Sequence, residues 1–503
     1  MIKTGYIFTD RAVLQCGMPV PVWGETDAKA LSVTFNGVTV SAEICGGKFR
    51  ATLPPTEAGV RGDMVFSADG EELTLTDIAV GEVWLAGGQS NMEHPNICAA
   101  HDPETLEEDT DLRLFTVPRR TEDAPRVGWH FEGLYGEDTP WEYSNPENAL
   151  HFSSIAYAFG RRLRKELGVP VGIISCNWGG TPAETWVTRE LLDSDPRLVD
   201  YCRYWDARFT VADLDAYRAR DVEYQEWLRG YIKERGGIDD EVARMGVSAS
   251  LRYPGPTRWT EEGPLHPSAP GNLWKNMVSR IVPYALRGTI WHQGESNSRA
   301  ENPDIRAHYT YLMETLLASW RKEFESPKMA LGIVQLATYP NGNEEGENFC
   351  RIREAQADLG DGRDPLVYTI PSADLGEKDN IHPERKPEMG ERLALGALAR
   401  VYGRETVWEG PVPTGVICNS DSMTLMFDKP VTCADETPGD FFLRTESGEK
   451  MLLDAALDGE GGIRLTLPEG VMGGEVGYVM QNWCRANLYG EDGTAVSPFT
   501  LKI

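Results

Sequence analysis

Between residues 82 and 403 the chain alternates short, largely apolar segments with longer segments of helical period. That alternation restricts the fold more than any other feature. EVWLAG (82–87), VPVGIISC (169–176), LRGTIWH (286–292), MALGIVQLA (329–337) and PLVYTI (365–370) read as strands. Strands apolar on both faces need cover on both sides, which a mainly parallel sheet between helical layers supplies. The helical partners fit. SSIAYAFGRRLRKELG (153–168) puts apolar residues at 155, 156, 159, 163 and 167 on one face, with a serine cap at its start and Gly168 at its end. AHYTYLMETLLASWRKEF (307–324) and PEMGERLALGALARVYG (387–403) follow the same period. The expectation is an α/β fold.

The two ends of the chain read differently. LSVTFNGVTVSAEI (31–44) alternates around Asn36-Gly37, a strong hairpin signal, and further short strands follow. Residues 1–80 are therefore expected to form an N-terminal β-sandwich, residues 81–409 the α/β domain and residues 410–503 a C-terminal β-domain. Two stretches, 99–150 and 190–270, interrupt the alternation and read as insertions over the sheet. The second contains a charged, helical stretch at about 212–245 and then a Pro/Gly-rich loop.

Composition excludes several classes. A formal charge of −29, from 49 basic and 78 acidic residues, disfavours nucleic acid and anionic membranes as partners. No apolar run of about 18 residues exists, which argues against a transmembrane helix. The start, MIKTGYIFTDRAVLQCG, lacks the apolar core of a secretion signal, so a cytoplasmic location is expected, with a removed leader left open. The nine cysteines are scattered and include no C-x-x-C pair, and the eight histidines do not cluster with them. They read as reduced thiols rather than a disulfide frame, and neither a metal nor a cofactor is expected.

Four loops that follow expected strands carry chemistry: GGQSN (87–91), NWGGTPAETW (177–186), QGESN (293–297) and DNIHP (379–383). In open α/β sheets functional groups gather beyond the carboxyl ends of the strands. A serine hydroxyl is a weak nucleophile and needs a base within hydrogen-bond reach. His382 can serve Ser90 as that base. Asp379, three residues upstream, can orient the ring and stabilise the imidazolium. Asp374 is a competing acid. A developing oxyanion needs preorganised donors. The N–H of Ser90, the N–H of Gly179 or Gly180, and an amide from Gln293 or Asn297 can supply them. Gln293 is the first choice of amide and Asn297 the second.

These residues resemble a known family. GQSNM, NWGGTPAETW, WHQGESN and DNIHP resemble the conserved blocks of the SGNH hydrolases, in particular the branch of sialate O-acetylesterases and related carbohydrate acetylesterases. FTDRAVLQCGMPVPVWG (8–24), NLWKNMVSRIVPYALRGTIWHQGESN (272–297) and VGYVMQNWCRANLYGEDGTAVSPF (476–499) extend the resemblance over most of the chain, and the two insertions match least. The third block departs from the superfamily's G-x-N-D. The resemblance implies an SGNH-type, flavodoxin-like three-layer domain with a parallel sheet, flanked by the two β-domains. It implies Ser90 as nucleophile, His382 as base and Asp379 as orienting acid, with Gly179 and the QGESN segment in the oxyanion hole. It also implies a serine esterase that releases acetate from an O-acetylated glycan, with 9-O-acetyl sialic acid as first choice of substrate. Acetylated xylan or another hemicellulose is the first alternative. A glycan-binding protein with a relict hydrolase site is the second. The sequence leaves the oligomeric state open.

Neighbouring residues read more plainly. Glu295 is expected to be a buried carboxylate beside the site and His292 a core histidine. Trp178, Trp186 and Trp291 fit a core better than a sugar-stacking wall. Arg299 fits a solvated surface position better than a grip on a substrate carboxylate.

Overall fold

One strand of 18 residues, β1 (Glu71–Gly88), organises much of the fold. Its first half alternates exposed and buried residues, and from Ile78 onward every residue is buried. The computed structural model describes residues 1–100, 102–122, 139–209, 211–234, 261–299, 304–419, 421–468 and 473–503. Two units emerge from its contacts. The first comprises Met1–Trp291, Leu312–Leu331 and Lys386–Glu391; the second comprises His292–Tyr311, Gly332–Arg385 and Arg392–Ile503.

In the first unit the early half of β1 pairs antiparallel with Arg61–Ala68, which pairs with Ser32–Phe35 of the expected hairpin. That hairpin closes through Asn36 and Gly37, both at positive φ (49° and 72°), as a tight two-residue turn requires. A separate four-stranded antiparallel sheet is ordered Ile2–Thr4, Val20–Thr26, Lys48–Leu53, Glu43–Cys45. Phe49 of this sheet meets Phe66 of the other at 5.9 Å. The boundary expected at 80/81 falls inside β1, because the strand changes from half-exposed to fully buried without leaving extended geometry.

The later half of β1 lies in the expected sheet. It pairs in parallel with β3 (Val171–Asn177), and β3 pairs in parallel with β2 (Asp109–Thr116). Glu142–Ser144 adds an antiparallel edge, so the sheet is mixed. On the other side of β1 lies β4 (Gly288–His292). Strand β2 corrects the reading of 99–150 as an insertion over the sheet: residues 109–116 are a sheet strand. Arg113 sits in the middle of it, fully buried, donating to the Arg11 carbonyl (2.8 Å) and the Asp77 carboxylate (3.2 Å). A buried, paired arginine breaks the apolar period that would have revealed the strand.

Helix α1 (Ser90–Glu93) is a single turn directly after β1. Helix α2 (Ser154–Leu167) forms as expected: Ser153 accepts from the Ala156 N–H and Gly168 ends the helix at φ 68°. Helix α3 (Leu214–Glu234) occupies the expected charged stretch; residues 235–245, and the Pro/Gly-rich stretch as far as 260, lie outside the described residues. Helices α4 (Ile305–Glu323) and α5 (Lys386–Arg400) follow their expected periods within a few residues. Among the described residues no helix is long and apolar enough to cross a membrane.

In the second unit the last three residues of β5 (Ala330–Val334) neighbour β6 (Val367–Ile370), and the Gln335 N–H donates to the Ile370 carbonyl at 2.9 Å. Among the described residues the C-terminal strands form two four-stranded antiparallel sheets and a two-stranded one. Met423, Leu425, Phe441, Leu443, Val476 and Tyr478 are among the buried residues of their shared core.

Candidate active site

The order of the central strands decides where chemistry can sit. From β1 the chain runs to β2 and β3 on one side, while β4 flanks β1 on the other. An open α/β sheet has its crevice at such a reversal, beyond the carboxyl end of the strand. Ser90 stands there, two residues past the end of β1. Gly88 supplies the turn at φ 129°, a conformation that side chains with Cβ rarely adopt. Gln89 then caps the one-turn helix: its carbonyl accepts from the N–H groups of Met92 (2.9 Å) and Glu93 (3.0 Å). Helix α2 holds the turn from outside, since the Ser153 hydroxyl donates to the Met92 carbonyl at 2.5 Å and the Ser154 N–H to the His94 carbonyl at 2.9 Å.

The second block meets the first. The Trp178 N–H donates to the Gly88 carbonyl (3.1 Å), so the 178–180 turn leaves the sheet beside Ser90. A Cβ on Gly179 would stand 3.2 Å from the Ser90 Cβ. The Gly179 N–H donates to Glu93 Oε2 at 2.6 Å, and the same carboxylate oxygen is paired with Arg119. Arg119 lies over the Trp178 ring, 5.4 Å from its centroid. Asn91 accepts a hydrogen bond from Lys386, and both side chains are buried.

The other two blocks lie in the second unit. The Gln293 amide donates to Asn297 Oδ1 at 2.6 Å, while its own Oε1 accepts from the Tyr309 hydroxyl at 3.0 Å. Tyr309 and Gln356 also donate to the Gln293 carbonyl, at 2.8 and 3.0 Å. Glu295 is buried, with His292 Nε2 at 3.8 Å from its Oε1. His382 sits in a loop built on Asn380, whose Oδ1 accepts from the His382 N–H (2.9 Å) and whose Nδ2 donates to the His382 carbonyl (2.7 Å). Glu377 closes this loop by accepting from Asn380 (2.9 Å) and from the Glu384 N–H (2.6 Å). Burial, reinforced by the Glu377 charge, raises the Glu384 carboxyl above its ordinary range. Asp379 is exposed, and no hydrogen bond joins it to His382. Asp374 is occupied elsewhere: Arg392 grips it with two hydrogen bonds of 2.7 and 2.6 Å.

A cavity of about 780 Å³ opens in the first unit, within the 190–270 stretch and beside the end of the second block. Arg189, Trp205, Asp206, Phe209, Trp274 and Lys275 are among its lining residues. Trp205 stacks on His266 (5.8 Å), and its indole N–H has no acceptor among the described residues.

Comparison with known proteins agrees with these motifs. Residues 257–399 match the family described as "Carbohydrate esterase, sialic acid-specific acetylesterase". The sialate O-acetylesterase of Rattus norvegicus is 26% identical over 443 residues, covering 78% of this chain and 74% of that protein. That of Homo sapiens is 27% identical over 445 residues, covering 81% and 72%. A crystal structure of a carbohydrate acetylesterase from Xanthomonas citri superposes with a TM-score of 0.75 at 25% identity, over 100% of this chain and 99% of that one. Residues 257–399 thus resemble this carbohydrate esterase family, and most of the chain resembles the sialate O-acetylesterases. It is a sialate O-acetylesterase-like hydrolase with the mixed α/β fold and added antiparallel sheets of the Xanthomonas structure.

In this esterase the structure brings Ser90 and Gly179 together in the first unit, and binds Gln293 to Asn297 in the second. Asp379 and His382 share a loop without bonding to each other. Trp186 and Trp291 are fully buried and pack edge to face at 6.1 Å, as core residues do. The side chain of Arg299 lies outside the described set. Sequence reading passed over Glu93, Arg119 and Lys386. Glu93 carried a usable signal, an acid one helical turn after Ser90. Arg119 and Lys386 carried none, because their partners are 26 and 295 residues away along the chain.

Proposed function

We propose that this esterase removes acetyl groups from O-acetylated glycans by serine acyl transfer, with 9-O-acetyl sialate as its preferred substrate. The observation that carries the chemistry is the presentation of Ser90 at the sheet reversal, with the 178–180 turn packed against it. In this reading His382 takes the Ser90 hydroxyl proton while Oγ bonds to the acetyl carbon. The oxyanion that forms is held by the Ser90 N–H and an amide of the QGESN segment, while the Gly179 N–H stays on Glu93 Oε2 and fixes the turn beside them. The C–O bond to the sugar then breaks, and His382 returns the proton to the departing sugar oxygen. Water, deprotonated by His382, attacks the acetyl-serine; the bond from Oγ to the acetyl carbon breaks, acetate leaves, and His382 returns the proton to Ser90 Oγ. Asp379 is proposed to orient His382. Of the two amides, Gln293 Nε2 already donates to Asn297, which supports Gln293 as the residue that aims the Asn297 amide.

The cavity supports a glycan substrate. Trp205, half-buried at its wall, offers an aromatic face for a sugar ring. Lys275 makes no ion pair among the described residues, which suits the carboxylate of an acidic sugar. The neutral acetylxylan reading draws on the same aromatic wall and on Glu190, which also lines the cavity. Acetate release by wild type and Ser90→Ala from 9-O-acetyl sialic acid, acetylated xylan oligosaccharides and a chromogenic acetate ester tests both levels. Serine-dependent turnover of sialate supports the full reading. Turnover of xylan alone moves the substrate to hemicellulose, and undiminished turnover by Ser90→Ala overturns the mechanism.

A further inference from the structure

We propose that Glu93 is a positioning residue for the nucleophile: it ties the 178–180 turn to the Ser90 turn through the Gly179 N–H, with Arg119 as its counter-charge. The inference rests on Ser90 being the nucleophile.

Four observations converge on it. Glu93 closes the single turn that Ser90 opens, so its carboxylate is fixed relative to the serine backbone. Both Glu93 and Arg119 are buried, at 7% and 3% exposure. The bond from the Gly179 N–H to Glu93 Oε2 is short, 2.6 Å, as charge-assisted bonds are. The missing Cβ of Gly179 lets that bond form while the turn lies on Ser90; a methyl there would reach within 3.0 Å of Glu93 Oε2 and 3.2 Å of the Ser90 Cβ. A buried ion pair adds little net stability over an apolar pair of the same size. What this pair does provide is geometry. It joins three separate segments: the turn after β1, the turn after β3, and Arg119 just past β2. The Trp178 ring under the Arg119 guanidinium extends the same clamp to the residue before Gly179.

The clamp also sets what the Gly179 N–H does. In the resting protein that donor points at Glu93, so the turn's position is decided before substrate arrives. Preorganisation of this kind acts on the rate of the chemical step and little on binding, because about 1 Å of misplacement beside a nucleophile costs roughly 100-fold.

The test compares Glu93→Ala, Glu93→Gln and Glu93→Asp with wild type, on a chromogenic acetate ester, with thermal melts in parallel. Glu93→Gln keeps an oxygen for the Gly179 N–H and loses the charge. Glu93→Asp keeps the charge and shortens the reach. The proposal expects kcat to fall about 10- to 100-fold in Glu93→Ala and Glu93→Asp, with KM within about 3-fold of wild type, and most of kcat to return in Glu93→Gln. A purely structural role would make activity follow the melting temperature across the three, and that result overturns the proposal. So does an unchanged or raised kcat in Glu93→Ala. If Glu93→Ala does not fold, the contrast of Gln with Asp still decides. Ser90→Ala run alongside separates the levels: an inactive Ser90→Ala with fully active Glu93 variants sinks only the positioning role, whereas an active Ser90→Ala sinks the reading beneath it.

Discussion

Gly179 lies so close to Ser90 that a methyl group added to its Cα would stand 3.2 Å from the serine Cβ. The contact joins the loops after two parallel strands, β1 and β3, whose last residues pair as Gly88 with Asn177. Gly179→Ala is therefore expected to push the turn off Ser90. Loss of about 100-fold in kcat is expected, with a stability cost no larger than about 1–3 kcal/mol for the overpacked methyl. Steady-state kinetics and urea unfolding on the same preparation check both parts. An alanine variant at wild-type kcat would show that the close approach has no bearing on catalysis.

Asp374 and Asp379 are expected to separate by what each loses. Asp374 is 4% exposed and gripped by Arg392, so Asp374→Asn leaves a largely buried guanidinium unpaired. A stability loss of about 3–5 kcal/mol is expected, read from the denaturation midpoint. Asp379 is exposed, and Asp379→Asn is expected to leave stability within about 0.5 kcal/mol. If Asp379 orients His382, its kcat falls nonetheless, though by less than in Ser90→Ala. Wild-type kcat in Asp379→Asn would remove that residue from the proposed triad.

Trp205→Ala addresses the cavity. Stacking of a sugar on this ring would contribute about 0.5–1.5 kcal/mol, so KM for an acetylated oligosaccharide is expected to rise roughly 3- to 10-fold. The chromogenic acetate, which carries no sugar ring to stack, is expected to keep its KM. Equal changes on both substrates would mean that the cavity takes no part in glycan binding.

Thiol reactivity should follow burial and pH. Burial, with the Glu82 charge beside it, pushes the Cys16 thiol up to about 12, and burial alone leads the same rise to about 12 for Cys202 and Cys350. The thiolate is the reactive form, so at pH 8 these three remain protonated. Cys45 and Cys418 are exposed. A chromogenic disulfide reagent at pH 8 is expected to modify these two first in the native protein and all nine after denaturation. Rapid native reaction at Cys16 would contradict the burial that raises it.

Much of the architecture was legible because the signals are local. Asn36-Gly37 demands a tight hairpin, Ser153 and Gly168 bracket a helix by capping, and the apolar runs at 171–177 and 288–292 can only be buried strands. The four blocks were legible for the same reason, since each is a short loop of unusual residues after such a run. Strand β2 was not, because Arg113 in its centre is buried only by virtue of Asp77 and the Arg11 carbonyl, which the linear order separates from it.

Residues a few positions apart along the chain set the α/β alternation, the helix and hairpin ends, and the placement of Ser90 in a glycine turn after a strand. Packing alone settled that β1 runs unbroken through the expected domain boundary, that Arg392 occupies Asp374, and that Glu93, Arg119 and Gly179 meet behind Ser90. Local preference follows from dihedral and hydrophobic period along the chain, whereas a buried charge acquires its partner from whichever segment the packing brings alongside.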